Sequence, residues 1–284
     1  EKGADSHSNS ALIFARGGAG AGAGLPAGIK LLIGAGGIYA AFMNYGLLQE
    51  DVFSYAAADG GKFTQAWFLN TFEALANVIV GFVGMMITGA TPNLPMKDFA
   101  MSGAGQVCAK AFTSLALAQG VSFPVVTLAK SGKMVPVMVG SIILGGARYS
   151  LREYAQVLAI IGGTCLVSMA KKKKAGGASS SMGLVFILLS LTCDGIVGGL
   201  QKKLKAAAAA RGASPKPYDF MFWTNLFMMA TAGVVSLGAG EFMSGFGYCV
   251  ENPEILTKII KFCICSAIGQ SFIFYTIANF EPLV

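Results

Sequence analysis

The chain has 284 residues, of which 54% are hydrophobic and 12% are charged, and its formal net charge is +7. Soluble domains carry about 25% charged residues, so this composition excludes an ordinary water-soluble protein. Nucleic-acid binding is not expected, because the basic residues form no stripe interleaved with aromatic residues. The single histidine, His7, leaves no His-based metal site or Ser-His-Asp triad, so we expect neither enzymatic activity nor a metal or cofactor.

Hydrophobic segments follow an amino-terminal tail at residues 1–27, whose Gly/Ala/Ser-rich composition favours disorder. Each segment is close to the length of about 20 residues that a helix needs to cross a bilayer. Only a helix satisfies all its backbone groups within such a segment. The predicted spans are residues 29–48, 65–88, 99–119, 122–144, 151–170, 182–200, 219–239 and 255–276. The sequence therefore predicts an all-α membrane protein with about eight transmembrane helices.

Small residues recur in these spans, with glycines such as Gly34, Gly103 and Gly199. Glycine lets helices approach closely where no hydrophobic force drives them together, so these positions indicate a packed bundle. The six cysteines lie in or near apolar segments without the spacing of a zinc motif, and we interpret them as packing residues.

A basic and Ser-rich segment at residues 171–181 divides the chain into two parts, a first half at 28–170 and a second half at 182–284. We interpret this segment as a solvated loop. The five alanines at 206–210 indicate either a loop insertion or an extension of the sixth helix. Lys and Arg are more frequent in the loops on the side of the amino terminus, which predicts that this terminus is cytoplasmic.

Charged residues inside the predicted spans are the strongest functional signal. They are Lys110, Lys130, Lys133, Lys258 and Lys261, with the acids Glu73 and Asp194. A charge at the centre of a bilayer costs about 2.5–3.5 kcal/mol on insertion scales, so such residues face a partner or a watery cavity and mark function.

Lys130 and Lys133 are three residues apart, so both project from one face of a helix. Their repulsion and apolar flanks favour a doubly charged anion such as a pyrophosphate opposite them, and lysine suits this as a compact point charge. Pro124 and Pro136 bracket the pair, and broken or kinked helices commonly line membrane binding sites. The alternative is that both lysines snorkel toward an interface.

The other lysines have less specific interpretations. Lys258 and Lys261 lie near the start of their span, where snorkelling explains them better. Lys110 is central and either pairs with Glu73 or Asp194 or contacts a ligand. Glu73 and Asp194 also allow a different function, a proton-coupled metabolite exporter, because such a protein needs a titrating carboxylate in its core.

Several stretches resemble the nucleotide-sugar transporters, in particular the endoplasmic-reticulum UDP-galactose/UDP-glucose type of the drug/metabolite transporter superfamily. They are SAIGQSFIFYTIANFEPL at 266–283, LSLTCDG at 189–195, KSGKMVPVM at 130–138 and NYGLLQE at 44–50. The resemblance implies a ten-helix carrier of two inverted five-helix repeats in the reticulum or Golgi membrane. It would exchange a nucleotide sugar for a nucleotide by alternating access, and ATP/ADP exchange is the alternative within the family.

The resemblance also implies roles for individual residues. Lys130 and Lys133 would contact the phosphates, and Glu50 with Gln49 would close the luminal end of the first helix near the site. Gln270 and Ser271 match a family stretch without an assigned role, and we include Asp194 among the candidate binding residues. The family continues after Pro282 and Leu283 with two further helices, so we expect a truncated chain that does not transport without them.

Overall fold

The computed structural model describes residues 26–57, 60–121, 123–144, 146, 148–172 and 181–280. Most of the predicted tail, most of the basic loop and the Pro282–Leu283 pair lie outside these ranges. The described chain forms ten helices, namely α1 (Ala27–Ser54), α2 (Ala66–Thr88), α3 (Met96–Ala118), α4 (Phe123–Ser131), α5 (Met134–Ile143), α6 (Leu151–Lys172), α7 (Ser181–Ala210), α8 (Pro217–Gly238), α9 (Glu241–Glu251) and α10 (Pro253–Asn279).

Each predicted span corresponds to a helix, or in one case to a pair of helices. Five helices, α1, α2, α7, α8 and α10, are long and apolar enough to cross a membrane, and the bent pair α4–α5 would make a sixth span. Helix α3 forms where a span is predicted, although Lys97, Asp98 and Lys110 interrupt its apolar character. These helices confirm an all-α membrane protein.

Two features of the helices differ from the predicted spans, the end of α7 and the presence of α9. Helix α7 continues through the alanines at 206–210 to Ala210, so the interpretation as a helix extension is correct. Alanine has the highest helix propensity, which explains the continuation beyond the apolar segment. The short helix α9, between α8 and α10, was not predicted, since its 11 residues are too few for a span.

The fourth span is broken, and α4 and α5 are bent by 42°. Pro136 lacks an amide hydrogen, and its ring is incompatible with a regular helical position for the carbonyl of Gly132. The chain responds with a tighter turn, in which the amide of Lys133 donates to the carbonyl of Lys130 at 3.1 Å. Lys130 therefore lies in the last turn of α4 and Lys133 directly before α5, so the two lysines flank a break instead of sharing one regular helix.

The most extensive helix contacts are α2 with α8, α3 with α7, α1 with α10 and α5 with α7. Glycines lie at these contacts, as predicted. A Cβ at Gly37 of α1 would overlap the ring of Phe272 in α10, and one at Gly199 of α7 would overlap the carbonyl of Gly140 in α5. The outer surface is apolar, with Ile87 80% and Leu151 86% exposed, as expected for side chains that face lipid.

The α5–α7 contact gives a test of this packing. A Cβ at Gly140 would coincide with the carbonyl of Gly195, whereas a Cβ at Gly36 in α1 would meet open space. We expect Gly140→Ala to push α5 away from α7 and to lower the unfolding free energy by about 1–3 kcal/mol, the usual cost of overpacking. Thermal unfolding in detergent measures this, with Gly36→Ala as the matched control. Equal melting temperatures for the two variants would contradict the described α5–α7 contact.

Candidate functional site

A buried ion pair joins three helices in the middle of the bundle. Lys110 of α3 donates to Glu73 Oε1 of α2 at 2.6 Å, and the hydroxyl of Ser266 in α10 donates to the same oxygen. Glu73 is 1% exposed, and the ring of Tyr45 in α1 lies 6.0 Å from the Lys110 ammonium. Of the two partners predicted for Lys110, the structure therefore selects Glu73. An acceptor with two donors in an apolar interior holds these helices in one register.

A second, looser ion pair joins α4 to α7. The ammonium of Lys130 lies 3.3 Å from Asp194 Oδ2, and the two side chains are 26% and 20% exposed. The two groups are not aligned as a hydrogen bond. Asp194 Oδ2 therefore has no hydrogen-bond partner in the described part of the chain. The flanking sequence of Lys130 contains no acid, so this partner could not be read from the residues around it.

Lys133 completes a positive cluster with Lys110 and Lys130. The ammonium groups of Lys110 and Lys133 are both close enough to the ammonium of Lys130 to repel it. Lys133 is exposed, and among the described residues it forms no ion pair. Three ammonium groups and two carboxylates leave the cluster with one net positive charge. Such a cluster can attract an anion that supplies more than one negative oxygen.

Glu50 and Gln49 lie about one helical turn beyond Tyr45 in α1, and no contact between them and a lysine of the cluster is found among the described residues. Gln49 is 5% exposed and donates to the hydroxyl of Ser114 in α3 at 3.2 Å, and Glu50 is half-buried. The adjacent Asp51 pairs with Lys258 at 2.6 Å. Lys258, near the start of α10, therefore has a carboxylate partner, which the snorkelling interpretation did not include.

Lys261 lines a groove of about 530 Å³ between α1 and α10, and its side chain is exposed. The rest of the groove is formed mainly by small and apolar residues such as Gly37, Ile264 and Ile268. An exposed lysine on this outer face fits the predicted snorkelling. The groove does not include the lysine cluster.

Gln270 and Ser271 have different surroundings although they are neighbours in α10. Gln270 is 2% exposed, and its Oε1 has no hydrogen-bond partner among the described residues. Ser271 donates to the carbonyl of Ala267 at 2.8 Å and is 3.5 Å from the sulfur of Met221. Ser271 is therefore satisfied within the bundle, whereas Gln270 presents a free acceptor to its interior.

Some neutral polar residues near the ion pair were not predicted, because the charge pattern and the family motifs do not include them. Asn77 of α2 donates to Asn225 of α8 at 3.1 Å, and both side chains are fully buried. Gln106 of α3 is a further neutral residue near the ion pair. The sequence signal that could have found it is the pattern Ser-x-x-Gly-Gln, which occurs at 102–106 in α3 and again at 266–270 in α10.

The profile of the UAA transporter family matches residues 30–284. The chain belongs to this family. Membership confirms the resemblance to nucleotide-sugar transporters that the residue motifs indicated, and it identifies the chain as a transporter and not an enzyme.

Curated relatives from animals and plants align along most of the chain. The solute carrier family 35 member B1 homolog of Drosophila melanogaster is 29% identical over 276 residues, which are 91% of this chain and 78% of the relative. The UDP-galactose/UDP-glucose transporter 3 of Arabidopsis thaliana is 28% identical over 92% of this chain and 81% of the relative. Solute carrier family 35 member B1 of Gallus gallus is 31% identical, covering 87% and 76%. The transporter fold of the UAA family thus extends through the described helices.

The Glu73–Lys110 pair should behave as a structural element. We expect Lys110→Met to lower the unfolding free energy by about 3–5 kcal/mol, because it leaves a buried carboxylate without its cation. Adding Glu73→Leu should restore most of the loss, which thermal unfolding in detergent can measure.

Lys258→Met is the matched control, since its partner Asp51 has a side chain that is 50% exposed and such pairs contribute about 0–1 kcal/mol. An unchanged melting temperature for Lys110→Met would show that the pair does not hold the helices together.

Proposed function

We propose that the chain is an antiporter that exchanges UDP-glucose or UDP-galactose for a nucleotide across the endoplasmic reticulum or Golgi membrane. The observation that carries this proposal is the cluster of Lys110, Lys130 and Lys133 on helices that are otherwise apolar. Lys133 is exposed and lacks an ion-pair partner in the described chain. The name of the Arabidopsis relative supports the choice of substrate.

The charges of the cluster fit a pyrophosphate. Glu73 compensates Lys110 tightly, whereas Asp194 compensates Lys130 at 3.3 Å without an aligned hydrogen bond. A pyrophosphate brings at least two negative charges and several acceptor oxygens, so it can bind Lys133 and displace Asp194 from Lys130. In the empty carrier Asp194 then substitutes for the substrate phosphate. This competition keeps Lys130, whose side chain is 26% exposed, from being unpaired between transport steps.

Alternating access requires two units that move relative to each other. We propose the units 28–170 and 182–284, which the basic and Ser-rich segment at 171–181 separates. The helix contacts support a repeat in which α1 corresponds to α7, α2 to α8 and α3 to α10. Under this correspondence the contact of α1 with α10 is equivalent to that of α7 with α3, and the contact of α2 with α8 is equivalent to itself. The repeated Ser-x-x-Gly-Gln pattern in α3 and α10 supports the same correspondence.

Glu50 and Gln49 belong, in this proposal, to the closed end of the carrier. The Gln49–Ser114 hydrogen bond and the Asp51–Lys258 ion pair tie the end of α1 to α3 and to the start of α10. A large apolar cluster that includes Phe53 and Phe63 lies at the same end. With the amino terminus in the cytoplasm, this end faces the lumen.

The other functions weighed from the sequence make different predictions. ATP/ADP exchange would use the same lysines, and competition by ADP rather than UDP would identify it. A proton-coupled exporter needs a carboxylate that is free to titrate, but Glu73 and Asp194 are both paired with lysines. Uptake driven by a pH gradient without a counter-nucleotide would favour the exporter.

The double variant Lys130→Ala/Lys133→Ala tests the proposal directly. We expect it to abolish exchange of UDP-glucose for UMP in proteoliposomes, measured on the protein that includes the two further helices implied by the family resemblance. The reason is that the phosphate loses two of the three cations of the cluster. Lys261→Ala is the matched control, since that lysine lies in the outer groove. Normal uptake by the double variant, with folding unchanged, would contradict the proposed substrate site.

Asp194→Asn tests the competition between the carboxylate and the phosphate. We expect nucleotide affinity to rise about tenfold, which corresponds to 1.4 kcal/mol, because Lys130 no longer has a competing partner. Isothermal titration with UDP measures the change, and Asp51→Asn is the control because its partner, Lys258, lies outside the cluster. Weaker binding by Asp194→Asn would mean that Asp194 contacts the substrate itself.

A further inference from the structure

Three amide oxygens inside the bundle have no hydrogen-bond partner in the described chain. They are Asn77 Oδ1, Gln106 Oε1 and Gln270 Oε1. Asn77 is fully buried and Gln270 is 2% exposed, so bulk water does not satisfy these groups. A buried acceptor without a donor costs about 1–3 kcal/mol, and native proteins contain few of them. Three such acceptors in one bundle need an explanation.

Helix register brings the three groups to one level of the bundle. Glu73, Lys110 and Ser266 meet through hydrogen bonds, so they fix a common level on α2, α3 and α10. Asn77 and Gln270 each follow their member of this group by four residues. Four residues are about 6 Å along a helix and return to nearly the same face.

The directions of the helices complete this geometry. Helices α2 and α10 begin at the same end of the bundle, where Phe68 of α2 packs against α9, just before α10. Helix α3 follows α2 through a short connection and runs in the opposite direction, so Gln106, four residues before Lys110, lies on the same side of the ion pair. Asn77, Gln106, Gln270 and Asn225, the partner of Asn77, form what we call the carboxamide layer.

The two glutamines also occupy equivalent positions of a repeat. Ser102–Gln106 in α3 reads SGAGQ and Ser266–Gln270 in α10 reads SAIGQ, and both serines are buried. The repeat places one carboxamide on each of two different helices at the same side of the Glu73–Lys110 pair. A single unpartnered glutamine would be an isolated feature, whereas a matched pair indicates a site.

The chemistry of the layer restricts its ligand. Carbonyl oxygens without donors require a ligand that donates hydrogen bonds, and the amide nitrogens can in turn donate to its oxygens. A metal cation is disfavoured because Lys110 lies one turn away and repels it, with Lys130 close to Lys110. Hydroxyl groups both donate and accept and carry no charge, so they match the layer.

We propose that the carboxamide layer binds the hydroxyl groups of the transported molecule, on its hexose or its ribose, while the lysine cluster binds its phosphates. This inference rests on the proposed function. Lys110 belongs to the cluster and lies about one helical turn from the layer, a distance that a phosphate-linked sugar can span. The layer would thus contribute to the selection of sugar-bearing substrates over inorganic phosphates.

The variants Gln106→Met and Gln270→Met, singly and combined, test the proposal. Their thermal stability in detergent should be unchanged or higher, because each removes a buried acceptor that lacks a donor. Their affinity for UDP-glucose, measured by isothermal titration, should fall at least tenfold. Gln119→Met is the control, since this exposed glutamine lies directly after α3, outside the layer.

The ligands separate the two sources of hydroxyl groups. A loss for UDP-glucose with unchanged UDP binding assigns the layer to the hexose, and equal losses for both assign it to the ribose. Unchanged binding of both ligands by the combined variant, or a large loss of stability, would overturn the inference. If the unsubstituted protein bound neither UDP nor UDP-glucose, the proposed function itself would fail.

Discussion

The packing of the helices is constrained by one requirement, namely that a charged side chain in hydrocarbon needs a partner within the protein. Glu73 meets this rule with two donors, Lys110 and Ser266, from two other helices. A carboxylate has no comparable alternative partner in a lipid environment, so α2, α3 and α10 cannot slide past one another without losing these hydrogen bonds.

The two internal ion pairs differ in a way that suits different tasks. Glu73–Lys110 is short, and its carboxylate is buried, which is typical of a structural pair. Lys130–Asp194 is longer, partly exposed and not aligned as a hydrogen bond. Lys130 also lies directly before the break between α4 and α5, where fewer regular helix bonds resist a change in backbone angle. A pair with these properties can exchange its carboxylate for a ligand oxygen at low cost.

Sequence reasoning predicted the helices well and their partners poorly. Hydrophobic length is a local property, so the spans, including the break near Pro136, could be read from neighbouring residues. The ion pairs join residues far apart in sequence, such as Glu73 and Lys110, which are 37 positions apart, and nothing local selects Glu73 over Asp194. Asn77 and Gln106 were missed because a neutral carboxamide hardly changes the hydropathy of a span. The motifs of the family resemblance contain Lys130, Lys133 and Asp194, but they do not show that Asp194 pairs with Lys130.

The two Ser-x-x-Gly-Gln segments show where equivalent helices diverge. Four residues after the glutamine, α3 carries Lys110, whereas α10 carries Phe274, which is 1% exposed in an apolar cluster. The neutral acceptors are thus duplicated, but the cation is present on one helix only. A symmetric pair of lysines here would need a second buried acid, while Glu73 is already shared between Lys110 and Ser266. Within the described bundle, this asymmetry concentrates positive charge toward α3 and α4, whereas the part of α10 that follows Ser266 carries no charged residue. A ligand with phosphates at one end and hydroxyl groups at the other would therefore bind in one orientation.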